Sequence, residues 1–285
     1  DWAMFYSKEF KAPIIGVNTP RTQPAVREDV IKMVEAQLRE MVPQLEQISG
    51  QRFDIDKFRE TIRLSAECTN MWQEVLATAS AKPSPLTFFD ACIQMGPAVV
   101  MRGRQEAVDY YKLLLPELRE RVSQNVAAVP DEKHRFYWEG MPVWGKLRNM
   151  SELFWDLKSN VLASTYCSSW IFSAFDPKDP FASMARAYSS IFIGQDDAAK
   201  EDYIAGKVKQ FNIDGLLFHD AKTCPNNTNS RYDMPARLSQ RLGIPYLVIN
   251  GDLNDLRCYS EEQTVTNIEA FVEQLDDNVK AVRRN

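Results

Sequence analysis

Past Pro130 the chain alternates between two hydrophobic periods, and this alternation restricts the fold more than any other feature. Short apolar runs at 135–138, 161–164, 215–218 and 246–249 read as buried strands. Stretches near 146–158, 198–211, 230–242 and 261–279 carry a helical period instead. Parallel neighbouring strands need a long crossover between them, usually a helix, so this order of elements describes a parallel sheet covered by helices. The expected class is α/β, with a parallel-sheet domain over 129–285.

Ahead of that domain the pattern is helical. Between 25 and 50 the residues Ile31, Val34, Leu38, Met41, Leu45 and Ile48 recur three and four apart, one apolar stripe on a long helix that Pro43 should kink. A second helix, started by Asp54 or Asp56, runs through Phe58, Ile62, Trp72 and Leu76 until the KPSP stretch at 82–85 stops it. A third helical region covers 86–125, with interruptions at Gly96-Pro97 and at Pro116. Residues 25–128 thus form a helical subdomain whose Met, Trp and Phe stripes are core. The first ten residues are helix-like with Trp2, Phe5, Tyr6 and Phe10, and APIIGVN at 12–18 reads as a short buried strand. A helix feeding a strand is the second half of a βαβ unit, so 1–24 is expected to be the remnant of another α/β domain that begins upstream of Asp1.

The charge balance excludes one class of partner. Lys and Arg number 34 against 39 Asp and Glu, a net of −5, so no global positive field is available for a phosphate backbone and nucleic acid is not expected. Apolar runs fall far short of the ~20 residues that cross a bilayer, so no membrane is expected either. Five cysteines, an odd number with no CxxC pair, fit reduced thiols in a cytoplasmic setting. Neither GxGxxG nor GxxxxGK[ST] occurs, which disfavours a nicotinamide dehydrogenase and a P-loop ATPase.

Ligands of a parallel sheet bind beyond the carboxyl ends of its strands. The four ends here carry Glu139-Gly140, Thr165-Tyr166-Cys167, His219-Asp220 with Thr223-Cys224, and Asn250-Gly251-Asp252. Cys224 lies in a polar loop ahead of a helix whose positive end would favour the thiolate that binds metal or attacks a carbonyl. Cys167 is either a second such thiol or part of a buried turn. Cys68 and Cys92 sit in helices as small buried hydrophobes. His219 could be a general acid, a metal ligand or a structural hydrogen-bonding group, and His134 is expected to be solvated. Glu139 could be an acid, a substrate-binding group or a helix N-terminal carboxylate. The connection from Tyr166 to Asp197 is long for this fold and is expected to line a binding site.

Three segments, YWEGMPVWGKLRNMSELF (137–154), DGLLFHDAKTC (214–224) and RYDMPARLSQRLGIPYLVINGDLND (231–255), resemble the family of 2-hydroxyacyl-CoA dehydratases and ATP-dependent benzoyl-CoA reductases. The helical middle follows that family's layout too, so the resemblance covers essentially the whole chain. It implies an iron–sulfur subunit with Rossmann-like domains, paired with a homologous one, a [4Fe-4S] cluster held by three cysteines of each chain, and an acyl-CoA thioester between the subunits. It also implies a separate ATP-hydrolysing activator that donates low-potential electrons. The family's third ligand falls on Cys224; the first two precede the APIIGV segment, which means upstream of Asp1, with Cys167 as an alternative ligand. Trp138, Trp144, Tyr166, Trp170 and the run Asn226 to Asn229 suit a flat apolar acyl group with a few hydrogen bonds, which favours the benzoyl-CoA reductase branch. The resulting candidates are Glu139 and His219 for proton delivery, and Trp144, Tyr166, Asn226, Asn227 and Asn250 for substrate. The alternatives are a 2-hydroxyacyl-CoA dehydratase and a non-catalytic electron-relay protein of the same fold.

Overall fold

The structure, a computed structural model, describes residues 2–20, 26–224, 228–229 and 233–284, with side chains to Asp277. Helix α1 (Trp2–Phe10) leads into an irregular segment and then α2 (Glu28–Ser49), α3 (Ile55–Thr78), α4 (Phe88–Gln94), α5 (Gly96–Val100) and α6 (Gln105–Ser123). The sheet follows: β1 (His134–Glu139), α7 (Leu147–Asp156), β2 (Ser159–Ser164), α8 (Thr165–Ser168), α9 (Pro180–Ser189), α10 (Asp197–Phe211), β3 (Gly215–Ala221), α11 (Met234–Leu242), β4 (Tyr246–Gly251) and α12 (Glu261–Arg284). All strand pairings are parallel, in the order β2-β1-β3-β4.

Local chemistry accounts for the helix starts. Asp54 caps α3 by accepting from the backbone N–H groups of Asp56 and Lys57. Thr87 and Asp90 form a reciprocal capping box that starts α4. The stripe of α2 buries Ile31, Val34 and Leu38 against Phe181 and Ala185 of α9, while Leu45 and Ile48 farther along remain exposed. A larger core joins α3, α4 and α6 to the sheet: Trp138 stacks on Phe88 of α4, with ring centroids 5.3 Å apart. All six residues of β1 are buried, as a central parallel strand requires.

Successive residues of β1 face opposite sides of the sheet. Phe136 meets Phe154 of α7 and Phe271 of α12, each at 5.7 Å between ring centroids, so these helices cover one face. Tyr137 and Glu139 look the other way, toward α10.

Four expectations need correction. Residues 12–18 form no strand: they pair with no other strand among the described residues, and a strand exists only through its ladder. The segment is instead tied to α2, with Asn18 N–H donating to Gln37 Oε1 (2.7 Å) and Gln37 Nε2 donating to the Asn18 carbonyl (3.2 Å). Pro116 does not interrupt a helix but lies inside α6, where Leu115 and Leu118 on either side are buried and packing outweighs one missing donor. The connection 166–197 is no plain loop: it contains most of α8, all of α9 packed on α2, and a short 3-10 turn, Phe192–Gly194. His134 is buried rather than solvated, with Nε2 2.9 Å from Asp276 Oδ1. No helix among the described residues is long and apolar enough to cross a membrane.

Candidate functional site at the carboxyl edge of the sheet

The strand order sets the place. The chain leaves β1 through α7 toward β2 on one side, and leaves β3 through α11 toward β4 on the other, so the topological switch point, where ligands of such sheets bind, lies between the carboxyl ends of β1 and β3.

Glu139 closes β1 and is 1% exposed. Its Oε1 accepts from Asn229 Nδ2 (2.6 Å), and its Oε2 accepts from Thr165 Oγ1 and from the Tyr137 hydroxyl (3.3 Å). Asn229 Oδ1 in turn accepts from Lys200 Nζ at 3.1 Å. Burial pushes the Glu139 carboxyl above its usual range, opposed by the donors Thr165, Asn229 and Tyr137 and by the nearby Lys200 charge. The result is a buried polar hub that joins β1, the turn after β2, the loop after β3, and α10.

Cys224 is half-buried in the loop after β3. Its N–H donates to the Ala221 carbonyl (3.4 Å), and its own carbonyl accepts from Thr228 Oγ1 (2.8 Å). The preceding residue, Thr223, donates through both N–H (2.8 Å) and Oγ1 (2.6 Å) to Oδ2 of Asp252, just past β4. Asp252 is 3% exposed, and its Oδ1 accepts from the N–H groups of Asn254 and Asp255. Burial alone would raise this carboxyl, yet the Thr223 side chain and these backbone donors bring it down to about 2.

His219 does not join Glu139. In the parallel register Glu139 pairs with Phe218, so His219, one residue on, points to the opposite face. Its Nδ1 donates to the Met141 carbonyl (2.6 Å), which also accepts from Trp138 Nε1 (3.0 Å). Nε2 is then the bare acceptor, buried and with no partner among the described residues. Burial lowers the imidazole below its ordinary value near 6.5. The ring packs on Gly251, where a Cβ would come within 2.9 Å of Nε2. With Gly140 at φ +94°, these contacts fix the turn that leads to Trp144.

Trp144 and Tyr166 are half-buried and meet edge to face, 6.3 Å between centroids. Trp144 N–H donates to the Leu253 carbonyl (3.1 Å), which ties this pair to the β4 end. Trp138 belongs to the core instead. Asn250 is exposed, its Oδ1 accepting from Lys222 Nζ (2.8 Å), which also pairs with Asp220. Asn226 and Asn227 lie outside the described residues. Cys167 is 2% exposed, with its Sγ 3.9 Å from Cys92 Sγ and its carbonyl accepting from Trp72 Nε1 (2.9 Å). Cys68 is buried as well, and Cys258 is half-buried. Among the described residues no three His, Cys, Asp or Glu side chains converge as a metal ion would require.

Asn229 falls in the Asn226–Asn229 run and Asp252 at the fourth strand end, but as a hub and a loop anchor neither is evident from residue type, and Lys200 is not among the sequence candidates at all. Lys200 did carry a signal, because it occupies the stripe of α10 on which Ile204 and Phe211 are buried, where an apolar residue is expected.

The sequence, compared with known proteins, matches the family model "2-hydroxyglutaryl-CoA dehydratase, D-component" over residues 1–275. The chain belongs to this family. It is 29% identical over 285 residues to the (R)-2-hydroxyisocaproyl-CoA dehydratase alpha subunit of Clostridioides difficile, covering 99% of this chain and 69% of the relative. It is 31% identical to the (R)-phenyllactyl-CoA dehydratase alpha subunit of Clostridium sporogenes, covering 95% and 66%. To a subunit of the benzoyl-CoA reductase of Thauera aromatica the identity is 27%, covering 96% and 67%. The chain therefore spans about two thirds of the length of each. These relatives are components of acyl-CoA enzymes of two kinds, and the identities do not separate one kind from the other.

Proposed function

We propose that this chain is an iron–sulfur subunit of an ATP-dependent benzoyl-CoA reductase, acting on an aromatic acyl-CoA by one-electron reduction. Family membership supports the acyl-CoA part. The observation that carries the aromatic part is the Trp144–Tyr166 pair, which offers half-exposed edges and faces to a flat apolar group at the carboxyl edge of the sheet. A second reading, dehydration of a 2-hydroxyacyl-CoA, is favoured by the family model's own description and by the two dehydratase alpha subunits. A third, an electron relay without turnover, shares the same cysteine.

Cys224 fits one ligand of a [4Fe-4S] cluster. It is a half-exposed thiol at the carboxyl edge whose backbone N–H and carbonyl are already satisfied within the loop. Among the described residues no set of three ligands converges on it. Such a cluster, when bound, supplies low-potential single electrons. The chain's own residues then hold the Cys224 loop, flank the thioester with Trp144 and Tyr166, and keep water from it. Glu139 serves in this reading as an anchor at the switch point, since its oxygens already accept from protein donors. A homologous subunit closes the open edge, and a separate ATP-hydrolysing activator supplies electrons.

The test supplies the complete complex with activator, ATP and reductant, and compares benzoyl-CoA with a 2-hydroxyacyl-CoA. Turnover of benzoyl-CoA is expected. Turnover of the hydroxyacyl thioester alone would establish the second reading, and reduction of the cluster without turnover of either the third.

A further inference from the structure

Asp252 is a buried carboxylate whose hydrogen-bond partners among the described residues are neutral donors: Thr223 N–H and Oγ1, and the N–H groups of Asn254 and Asp255. Burying a charge is costly unless its acceptor sites are filled, so such a group stays where its bonds organise something. The two bonds within its own turn are long, 3.4 Å each, while the two to Thr223 are 2.8 and 2.6 Å and reach 29 residues back along the chain. Asp252 therefore binds the loop after β3 more closely than its own. Thr223 immediately precedes Cys224. On the other side, Thr228 Oγ1 donates to the carbonyls of both Cys224 and Ala221, each at 2.8 Å. The Cys224 backbone is thus clasped before and after, which leaves its side-chain rotation as the main freedom of the thiol.

We infer that Asp252 is a positioning residue for Cys224, holding the thiol at the carboxyl edge through Thr223. The inference rests on the reading of Cys224 as a cluster ligand. A ligand held in place beforehand loses less freedom when it binds, so the clasp favours retention of iron.

The test labels Cys224 of the cluster-free, full-length protein with iodoacetamide and follows the rate by peptide mass spectrometry. Thr223→Val, which keeps the carboxylate, and Asp252→Ala are each expected to accelerate labelling about tenfold, equivalent to about 1.4 kcal/mol of loop opening. Thr223→Ser, which keeps the hydroxyl, restores the original rate. The double variant should be no faster than the faster single one, because both break the same contact. Unchanged labelling in both folded single variants, or additive acceleration in the double variant, would overturn the inference; should Asp252→Ala fail to fold, Thr223→Val decides alone. Iron bound after reconstitution should fall in the same variants. Faster labelling together with full iron content in Cys224→Ala would leave the clasp standing and remove the ligand reading.

Discussion

Glu139 illustrates how a side chain's surroundings, more than its type, define its part. Exposed at a strand end it would be a candidate acid; buried under Asn229, Thr165 and Tyr137 it holds three elements together. Glu139→Ala leaves those donors without an acceptor and is expected to cost about 3 kcal/mol in urea unfolding, with Glu139→Gln costing less because one acceptor oxygen remains. The buried imidazole of His219 makes a pH prediction. Its folded pKa lies below the ordinary value near 6.5, so on acidification the unfolded chain takes up the proton first. The stability this group contributes is complete above about pH 6.5 and is lost as pH falls below it. Unfolding free energy measured between about pH 7.5 and 5.5 should decline, with a shallower slope in His219→Gln.

At the scale of elements, burial separates those that hold the fold from those that do not. Strands β1 and β2 bury every residue, α3 buries Ile62 and Trp72 of the stripe read from its sequence, and α6 buries Val108, Tyr111, Leu115 and Leu118. Helix α1 buries none of its nine residues; its aromatic rings contact one another, Trp2 on Tyr6 at 6.0 Å and Tyr6 on Phe10 at 5.7 Å. Short helices without tertiary packing are marginal in water, so in this chain the α1 amides should exchange with deuterium faster than those of β1 by several orders of magnitude. Protection of α1 equal to that of the sheet would contradict this. In α10 the same logic runs through a polar residue: Lys200 sits on the buried stripe and reaches Asn229, which couples the helix to the Cys224 loop.

At the scale of the whole molecule, helices α3, α4 and α6 pack on a parallel sheet whose carboxyl edge carries one half-exposed thiol, Cys224, in the loop after β3. Iron should depend on that thiol and not on the core ones. Cys224→Ala in the full-length protein is expected to lose most bound iron, while Cys68→Ala, altering a fully buried thiol, retains it and instead loses stability. Equal iron in the two variants would remove Cys224 from the cluster.

Periodicity and turn chemistry are local properties, and what depends on them was legible in the sequence. The four strands, their parallel arrangement and the Asp54 start of α3 follow from neighbours a few residues apart, and the position of Cys224 beyond a strand end follows from the strand itself. Everything that depends on partners was decided by the tertiary structure. Residues 12–18 have strand composition but no ladder. Glu139 ends β1 and His219 lies two residues before the end of β3, and the register of β1 on β3 turns them to opposite faces. Thr223 and Asp252 lie 29 residues apart and meet only because β4 pairs with β3, and Lys200 reaches Asn229 only because α10 packs over β1 and β2. Local spacing determines which way a side chain can point along its own element, but which groups face one another is set by long-range pairing, whose energy no short window of sequence contains.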